Sequence, residues 1–342
     1  MPTISVIVPN YNHASYLRQR LDSIFNQTFQ DFEVIILDDC STDNSKEIIE
    51  EYRNYPQVSH IVYNEINSGS PFKQWAKGFD LAQGEYIWIA ESDDWAERTF
   101  LENTVQIIEK KEVSLVFTNS VWVFEKDFQK ENNVFPKDTF LLGNDFLFRK
   151  MITKNAICNA SCVLFKKETL SKIPSYYQTF KALGDWVLWV EFCLRENVYY
   201  ISKPLNFFRQ HTSNLTKKNV LLGNTYQESF KVYDYIKTYR NIPLLKRHIV
   251  ATFFLTYPQK IGIDISKSQI YKETSKKWKK EICNPIISRV FVNIMFVFWI
   301  IKKFVFSIFN KEVIFSSLSK NSSNISNGIL SCAQLLNARL YK

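Results

Sequence analysis

Four short apolar runs, at residues 4–8, 33–37, 58–63 and 86–90, alternate with segments whose apolar residues recur at helical spacing, as Leu17, Leu21, Ile24 and Phe25 do within 15–26. This alternation restricts the chain more than any other feature. A strand that is apolar at nearly every position is buried on both faces, and strand–helix–strand order supplies the crossovers that parallel pairing needs. The pattern predicts a doubly wound α/β domain, whose ligands bind beyond the carboxyl ends of the strands. Other segments fit it: a helix over 72–82, strands over 115–123 and 158–165, an apolar helix over 186–194 and a last strand over 199–208.

Acids stand where such a fold binds ligands. Asp38-Asp39 ends the second run, and Glu91-Ser92-Asp93-Asp94 ends the fourth. One such cluster alone reads as helix capping. Two at equivalent strand ends point to a common crevice, where oxygen ligands suit Mg²⁺ or Mn²⁺ bridging phosphate oxygens. There is no GxGxxG turn and no P-loop, which argues against dehydrogenases and P-loop kinases.

Pro9-Asn10-Tyr11-Asn12, then Val34-Ile35-Ile36-Leu37-Asp38-Asp39-Cys40-Ser41-Thr42-Asp43, then Gly84-Glu85-Tyr86-Ile87-Trp88-Ile89-Ala90-Glu91-Ser92-Asp93-Asp94-Trp95 resemble the family 2 glycosyltransferases with the GT-A fold, over about residues 1–215. The resemblance implies transfer of a sugar from a nucleoside diphosphate donor, UDP- or dTDP-linked, to an acceptor hydroxyl with inversion. It places Pro9, Tyr11, Asp38 and Asp39 in the nucleotide pocket, with Tyr11 on the base and a carboxylate accepting from the imide N–H. Glu91-Ser92-Asp93 matches the DxD-type triplet with Glu in first place, putting Glu91 near the ribose or a metal-bound water, and Asp93 and flanking Asp94 at a divalent metal. Asp185, in Leu183-Gly184-Asp185-Trp186, matches the general base, although the same residue could simply cap a helix. Arg209 would grip the diphosphate and His211 complete the metal shell, although a lone histidine is more often structural. Trp75 stands where many relatives carry an arginine, leaving Lys73 or Lys77 as substitutes. A catalytically silent sugar-nucleotide-binding protein is the alternative reading.

Charge divides the chain. The 342 residues carry a formal net charge of +9, yet residues 1–215 hold 22 Lys and Arg against 28 Asp and Glu, and residues 216–342 hold 21 against 6. A basic tail on an acidic body implies an anionic surface met by one part only. The expected organisation is a catalytic domain over 1–215, a lysine-rich helical extension over 216–282, and an apolar helix with a flexible polar tail over 283–342. The run 290–301, broken by Asn293, spans about 18 Å as a helix, short of the ~30 Å bilayer core. It suits a helix lying in the membrane interface with Lys302 and Lys303 reaching lipid phosphates; packing on the body or on a dimer partner is the alternative. Trp278 and Tyr271 lie among lysines, but no nucleic-acid module is present and the acidic body would repel phosphate backbones. The six cysteines show no CxxC pair and read as reduced, buried thiols. The first residues pass straight into a strand, so the expectation is a cytoplasmic protein held at the inner face of the membrane, with a saccharide or lipid-linked acceptor.

Overall fold

The computed structural model describes residues 1–124, 129–211, 215–262 and 268–282. Strands β1 (Ile4–Asn10), β2 (Phe32–Asp38), β3 (Val58–Tyr63) and β4 (Tyr86–Ile89) are joined through helices α1 (Ala14–Phe25), α2 (Ser45–Glu51) and α3 (Pro71–Leu81). They pair in parallel in the order β3-β2-β1-β4, with Asn10 level with Asp38. β1 and β2 are buried at all seven positions each, as their unbroken apolar runs require. Their side chains alternate between two helical layers. Val6 and Val8 pack with Leu17, Leu21 and Ile24 of α1 and Ile49 of α2, while Ile7 points the other way, against Gly78 of α3.

The sheet continues through β9 (Val163–Lys166), β6 (Leu115–Phe124), β10 (Val198–Gln210) and the short β5 (Trp95–Ala96), with β7 (Gln129–Glu131) paired to β6 and β8 (Thr139–Leu141) to β10. β9 runs antiparallel to both β4 and β6, while β10 pairs with β6 in parallel. Thus the sheet is mostly parallel with one reversed strand inside it. The strand expected over 158–165 is shorter than its apolar letters suggest: Ala160–Cys162 form a 3-10 turn, where Ser161 turns its carbonyl to the Trp88 indole at 2.8 Å and its hydroxyl to Asp94 at 2.7 Å. Polar satisfaction of buried groups ends the strand there. β10 is unusually long at 13 residues and changes register around Pro204, which has no N–H to donate. Its far half reaches past the core into the crevice.

Helices α4 (Phe100–Lys111) and α7 (Gly184–Arg195), with the short α5 (Gly143–Phe146) and α6 (Lys167–Leu170) between them in the chain, cover the second half of the sheet, Phe100 stacked on Trp88 at 4.7 Å and Trp189 against Phe165 at 5.8 Å. Beyond β10 come α8 (Leu215–Leu222), α9 (Asn224–Tyr239), α10 (Leu244–Lys260) and α11 (Gln269–Lys280). An aromatic seam binds these, Tyr226 on Tyr271 at 5.0 Å and Trp278 on Phe254 at 4.5 Å. Met1–Glu281 form one compact unit, so the change of composition at 215 does not coincide with a break in packing. On α11 helical periodicity sorts the residues: Tyr271, Thr274, Ser275 and Trp278 face inward, while Lys272, Lys276, Lys277, Lys279 and Lys280 are exposed. The apolar helix and polar tail expected over 283–342 lie outside the described residues, and within these no helix is long and apolar enough to cross a membrane. Cys40, Cys158, Cys162 and Cys193 are free thiols.

Candidate active site

The loops that leave β1 and β2 interlock. Asn12 and Cys40 both adopt left-handed backbone angles, φ 56° and 64°, which turn each loop sharply at its strand end. The Asn12 amide then donates to Ser41 Oγ at 2.9 Å and its side-chain oxygen accepts from Thr42 N at 2.7 Å. Within this frame the paired acids separate. Asp38 accepts from Asn10 Nδ2 (2.8 Å), Ser41 Oγ (2.6 Å) and Ser41 N (2.9 Å), which fastens the loop. Asp39 faces the β3–α3 side, accepting from Asn64 (2.7 Å), Gln74 (2.8 Å) and the Ser68 amide (2.8 Å) on one oxygen and from the Ser68 hydroxyl (2.8 Å) on the other. Pro9 is buried within β1, and Tyr11 just beyond it is 46% exposed, its ring open to a ligand.

The acidic loop after β4 spreads its carboxylates in three directions. Glu91 accepts from the Trp75 indole at 2.9 Å, so the two departures from the family pattern, Trp for Arg and Glu for Asp, contact each other. Lys77 donates instead to Asn64 at 2.7 Å, and Lys73 to the Ser68 carbonyl. Burial, reinforced by the charge of Asp93, pushes Glu91 up to about 8. Asp94 turns inward. One oxygen accepts from Asn159 and Ser161 and the other from the Arg209 amide at 3.0 Å, so this residue, expected at the metal, ties the loop to β10 and the 160–162 turn. Burial and the Asp93 charge hold Asp94 well above the ordinary carboxylate range, and the fully buried Arg20, which donates to the Glu91 carbonyl at 2.8 Å, offsets that.

Asp93 faces the crevice. Its Oδ2 accepts from His211 Nε2 at 3.0 Å, and against the upward pull of burial that bond and the nearby imidazoles hold it below its ordinary value. Ligand atoms of His13, Asp93 and His211 all lie within 4.8 Å of one another. Burial lowers His13, opposed by Asp93, and a neutral imidazole is the form that binds metals. Two imidazoles and one carboxylate converging in a largely buried pocket fit a divalent cation of the Mn²⁺ type better than Mg²⁺, which prefers oxygen alone. Arg209, expected on the diphosphate, is engaged by protein: its guanidinium lies between the rings of Tyr16 and Trp95, 4.6 and 4.7 Å away, and donates to the Asp93 carbonyl at 2.9 Å and Gln19 at 2.6 Å. It clamps the backbone of the acidic loop.

Strand alternation at the end of β10 couples two compartments. Arg209 and His211 face the acidic loop, while Phe208 and Gln210 line a cavity of about 510 Å³ on the other side. Asp185, in the first turn of α7, also lines it. Its Oδ2 accepts from Asn155 at 2.8 Å, and its Oδ1, though buried, has no hydrogen-bond partner among the described residues. Burial pushes this carboxyl up to about 7, opposed by the Trp186 amide and Asn155. Gly184 before it is needed for space, since a Cβ would come within 2.5 Å of the Tyr177 carbonyl and 2.7 Å of the Phe72 ring.

The α9 residue Glu228 reaches back to the same loop, accepting from the backbone amides of Lys181 (2.7 Å), Ala182 (2.9 Å) and Leu183 (3.0 Å). Three backbone donors depend on one side chain. Glu228→Ala is expected to cost roughly 2–3 kcal/mol of stability and to lower kcat with little change in donor KM. Glu228→Gln, which keeps one acceptor, should recover part of kcat; thermal melts and a KM-against-kcat comparison check this.

Neither Glu228 nor His13 carries a sequence signal for these positions. His13 could have been suspected only because it follows the β1 end that a parallel sheet sets beside the β4 end.

Residues 5–173 match the model of glycosyl transferase family 2. The chain is 29% identical over 187 residues to the putative teichuronic acid biosynthesis glycosyltransferase TuaG of Bacillus subtilis, covering 54% of this chain and 71% of that one. It is 27% identical over 271 residues to the poly(ribitol-phosphate) beta-N-acetylglucosaminyltransferase TarP of Staphylococcus aureus, covering 75% and 79%. Among solved structures, S. aureus TarS 1–349 in complex with UDP-GlcNAc superposes with a TM-score of 0.66 at 19% identity, over 85% of this chain and 84% of that one. That likeness establishes a GT-A fold, and together with the family match and the relatives in bacterial polysaccharide synthesis it shows that the chain is an enzyme belonging to the family 2 glycosyltransferases.

Proposed function

We propose that the enzyme moves a sugar from a nucleoside diphosphate donor, a UDP- or dTDP-sugar, to a hydroxyl of a cell-surface saccharide or its lipid-linked precursor, with inversion. The observation that carries this reading is the Asp185 oxygen that has no hydrogen-bond partner among the described residues, on a carboxylate lining a cavity that shares β10 with the His13–Asp93–His211 cluster. Tyr11 stacks on the base, and Asp39 accepts from the base imide or ribose at the edge of its Ser68 and Gln74 contacts. Glu91, fixed by Trp75, borders the sugar-phosphate. Asp185 takes the proton of the acceptor hydroxyl as that oxygen bonds to the anomeric carbon from the face opposite the diphosphate. The bond from that carbon to the diphosphate oxygen breaks in the same step, and the nucleoside diphosphate leaves with the electron pair. Asp93, His211 and His13 would hold a divalent cation, which would supply positive charge against the leaving diphosphate.

The relatives' names support a polysaccharide acceptor and the TarS complex a UDP-sugar. Incubation with UDP-, dTDP- and GDP-sugars plus Mn²⁺ or Mg²⁺ tests the reading; no hydrolysis or transfer with any donor would sink it. His13→Ala is expected to weaken Mn²⁺ binding roughly 10-fold or more, read by Mn²⁺ electron paramagnetic resonance on the resting protein without donor.

The exposed lysines of α11 support peripheral attachment to an anionic leaflet at the cytoplasmic face, each adding about 1 kcal/mol when near it. Flotation with anionic against neutral liposomes measures this.

A further inference from the structure

We propose that helix α3 aligns the donor with the attacking hydroxyl, Gln74 fixing the nucleotide end and its neighbour Trp75, with Phe72, fixing Glu91 against the Asp185 loop; this rests on the roles given above to Asp39 and Asp185. Three side chains near the start of one helix reach three separate parts of the crevice. Gln74, 4% exposed, donates from Nε2 to Asp39 Oδ1 at 2.8 Å. An ionised carboxylate only accepts, so this contact fixes which end of the amide faces Asp39. The other end, Oε1, is buried with no hydrogen-bond partner among the described residues, which leaves an acceptor beside the nucleotide acid. Trp75, also buried, donates its indole N–H to Glu91 Oε1 at 2.9 Å. The Phe72 ring stands edge-on to Trp75 with centres 5.0 Å apart, and it lies so close to Gly184 that a Cβ there would come within 2.7 Å of it.

Asp185 follows Gly184 directly, so an unbroken line of contacts runs from Glu91 through Trp75 and Phe72 to the backbone that carries the base. The two ends of that line also sense each other: burial and the Asp93 charge raise Glu91, and the Asp185 charge adds to the effect. Helix α3 is not free to slide, because Gly78 seats it on Ile7 where a Cβ would come within 2.5 Å. A shift at one end therefore passes to the other, as close-packed interiors transmit strain. Transfer requires the acceptor oxygen, the anomeric carbon and the leaving oxygen in line, and a misplacement of about 1 Å costs on the order of 10²-fold. Trp75 and Phe72 are positioning residues in this arrangement, both buried and acting through the carboxylate or the backbone they hold. Gln74 and Trp75, although adjacent, should then give opposite kinetic signatures.

The test uses the full chain with Mn²⁺ and UDP-, dTDP- and GDP-sugars. Turnover is read as release of nucleoside diphosphate with water as the acceptor, and binding by calorimetry with free UDP, dTDP and GDP. Gln74→Ala should weaken nucleotide binding and raise donor KM about 10-fold, the scale of a lost hydrogen bond to a charged group, with kcat retained. Trp75→Phe, which keeps an aromatic ring against Phe72 and removes the N–H, should leave nucleotide affinity unchanged and lower kcat about 10-fold. Phe72→Leu should do the same from the other end of the line. Hydrogen exchange reads the coupling without turnover: Trp75→Phe should speed exchange in both the 91–95 and the 182–186 segments, and Gln74→Ala only around 39–41 and 64–68. Wild-type kcat in Trp75→Phe, Gln74 and Trp75 variants that move KM and kcat alike, or faster exchange in the acidic loop alone overturns the proposal. A wild type that neither binds nor turns over any of the three nucleotides counts against the transferase reading, while exchange still decides the coupling between the loops.

Discussion

Asp185→Asn is expected to lower kcat by about 10²–10⁴-fold, the contribution of a positioned general base, with donor binding retained. The substitution is close to isosteric. The asparagine oxygen can still accept from Asn155 Nδ2, as Asp185 Oδ2 does at 2.8 Å, so the loop keeps its anchor. Only the capacity to take a proton is lost. The wild-type enzyme should show an acidic limb in kcat/KM near pH 7, because burial pushes this carboxyl up to about 7 and only its ionised form is a base. Activity therefore rises with pH through that region, and the limb should vanish with the residual activity of the variant. Stability moves in the opposite sense. A carboxyl that holds its proton more tightly folded than unfolded loses stability as pH rises from its ordinary value of 3.8 to about 7, and the asparagine variant should lack that slope. Full activity in Asp185→Asn would exclude it as the base and favour a plain capping role.

The second large effect is expected at Asp93, where Asp93→Asn should lower kcat/KM on the order of 10³-fold, the scale of charge stabilisation by a bound metal. The contrast with its neighbour makes the test specific. Asp93 supplies the one carboxylate among three converging ligand groups, whereas Asp94 accepts from Asn159, Ser161 and the Arg209 amide. Asp93→Asn should therefore lose Mn²⁺ binding with little change in melting temperature. Asp94→Asn should retain Mn²⁺ binding and melt at lower temperature, because an amide cannot accept all three donors. The reverse pattern would place Asp94, not Asp93, at the cation.

The sheet, its helical layers and the location of the crevice were legible in the letters because they follow from short-range periodicity. Runs such as Ile4–Asn10 are buried wherever they pair, and helices such as Pro71–Leu81 must cover them. The strand ends carrying Asp38-Asp39 and Glu91-Ser92-Asp93-Asp94 then meet by topology alone. The reversed β9 was not legible: three apolar residues before Lys166 read alike in either direction, and partner choice depends on strands distant in sequence.

Side-chain assignments within the crevice followed a different logic. Asp93 and Asp94 are adjacent letters, yet one faces the pocket and the other the core, because successive residues point apart and the inward one finds Ser161 and Asn159, 67 and 65 residues away. Arg209 is drawn to Tyr16, Trp95 and the Asp93 carbonyl, and Trp75 reaches Glu91 across 16 residues. The composition break near residue 215 is real as charge and absent as packing, since Glu228 beyond it holds the loop before Asp185.

By itself the sequence determined the α/β fold, the family and the rim on which chemistry occurs, since these depend on patterns repeated within a few residues. Only the tertiary structure decided which groups converge beside Asp93 and which acid holds the loop. Those outcomes depend on register between elements up to about 200 residues apart, as with His13 and His211, and no local spacing encodes them.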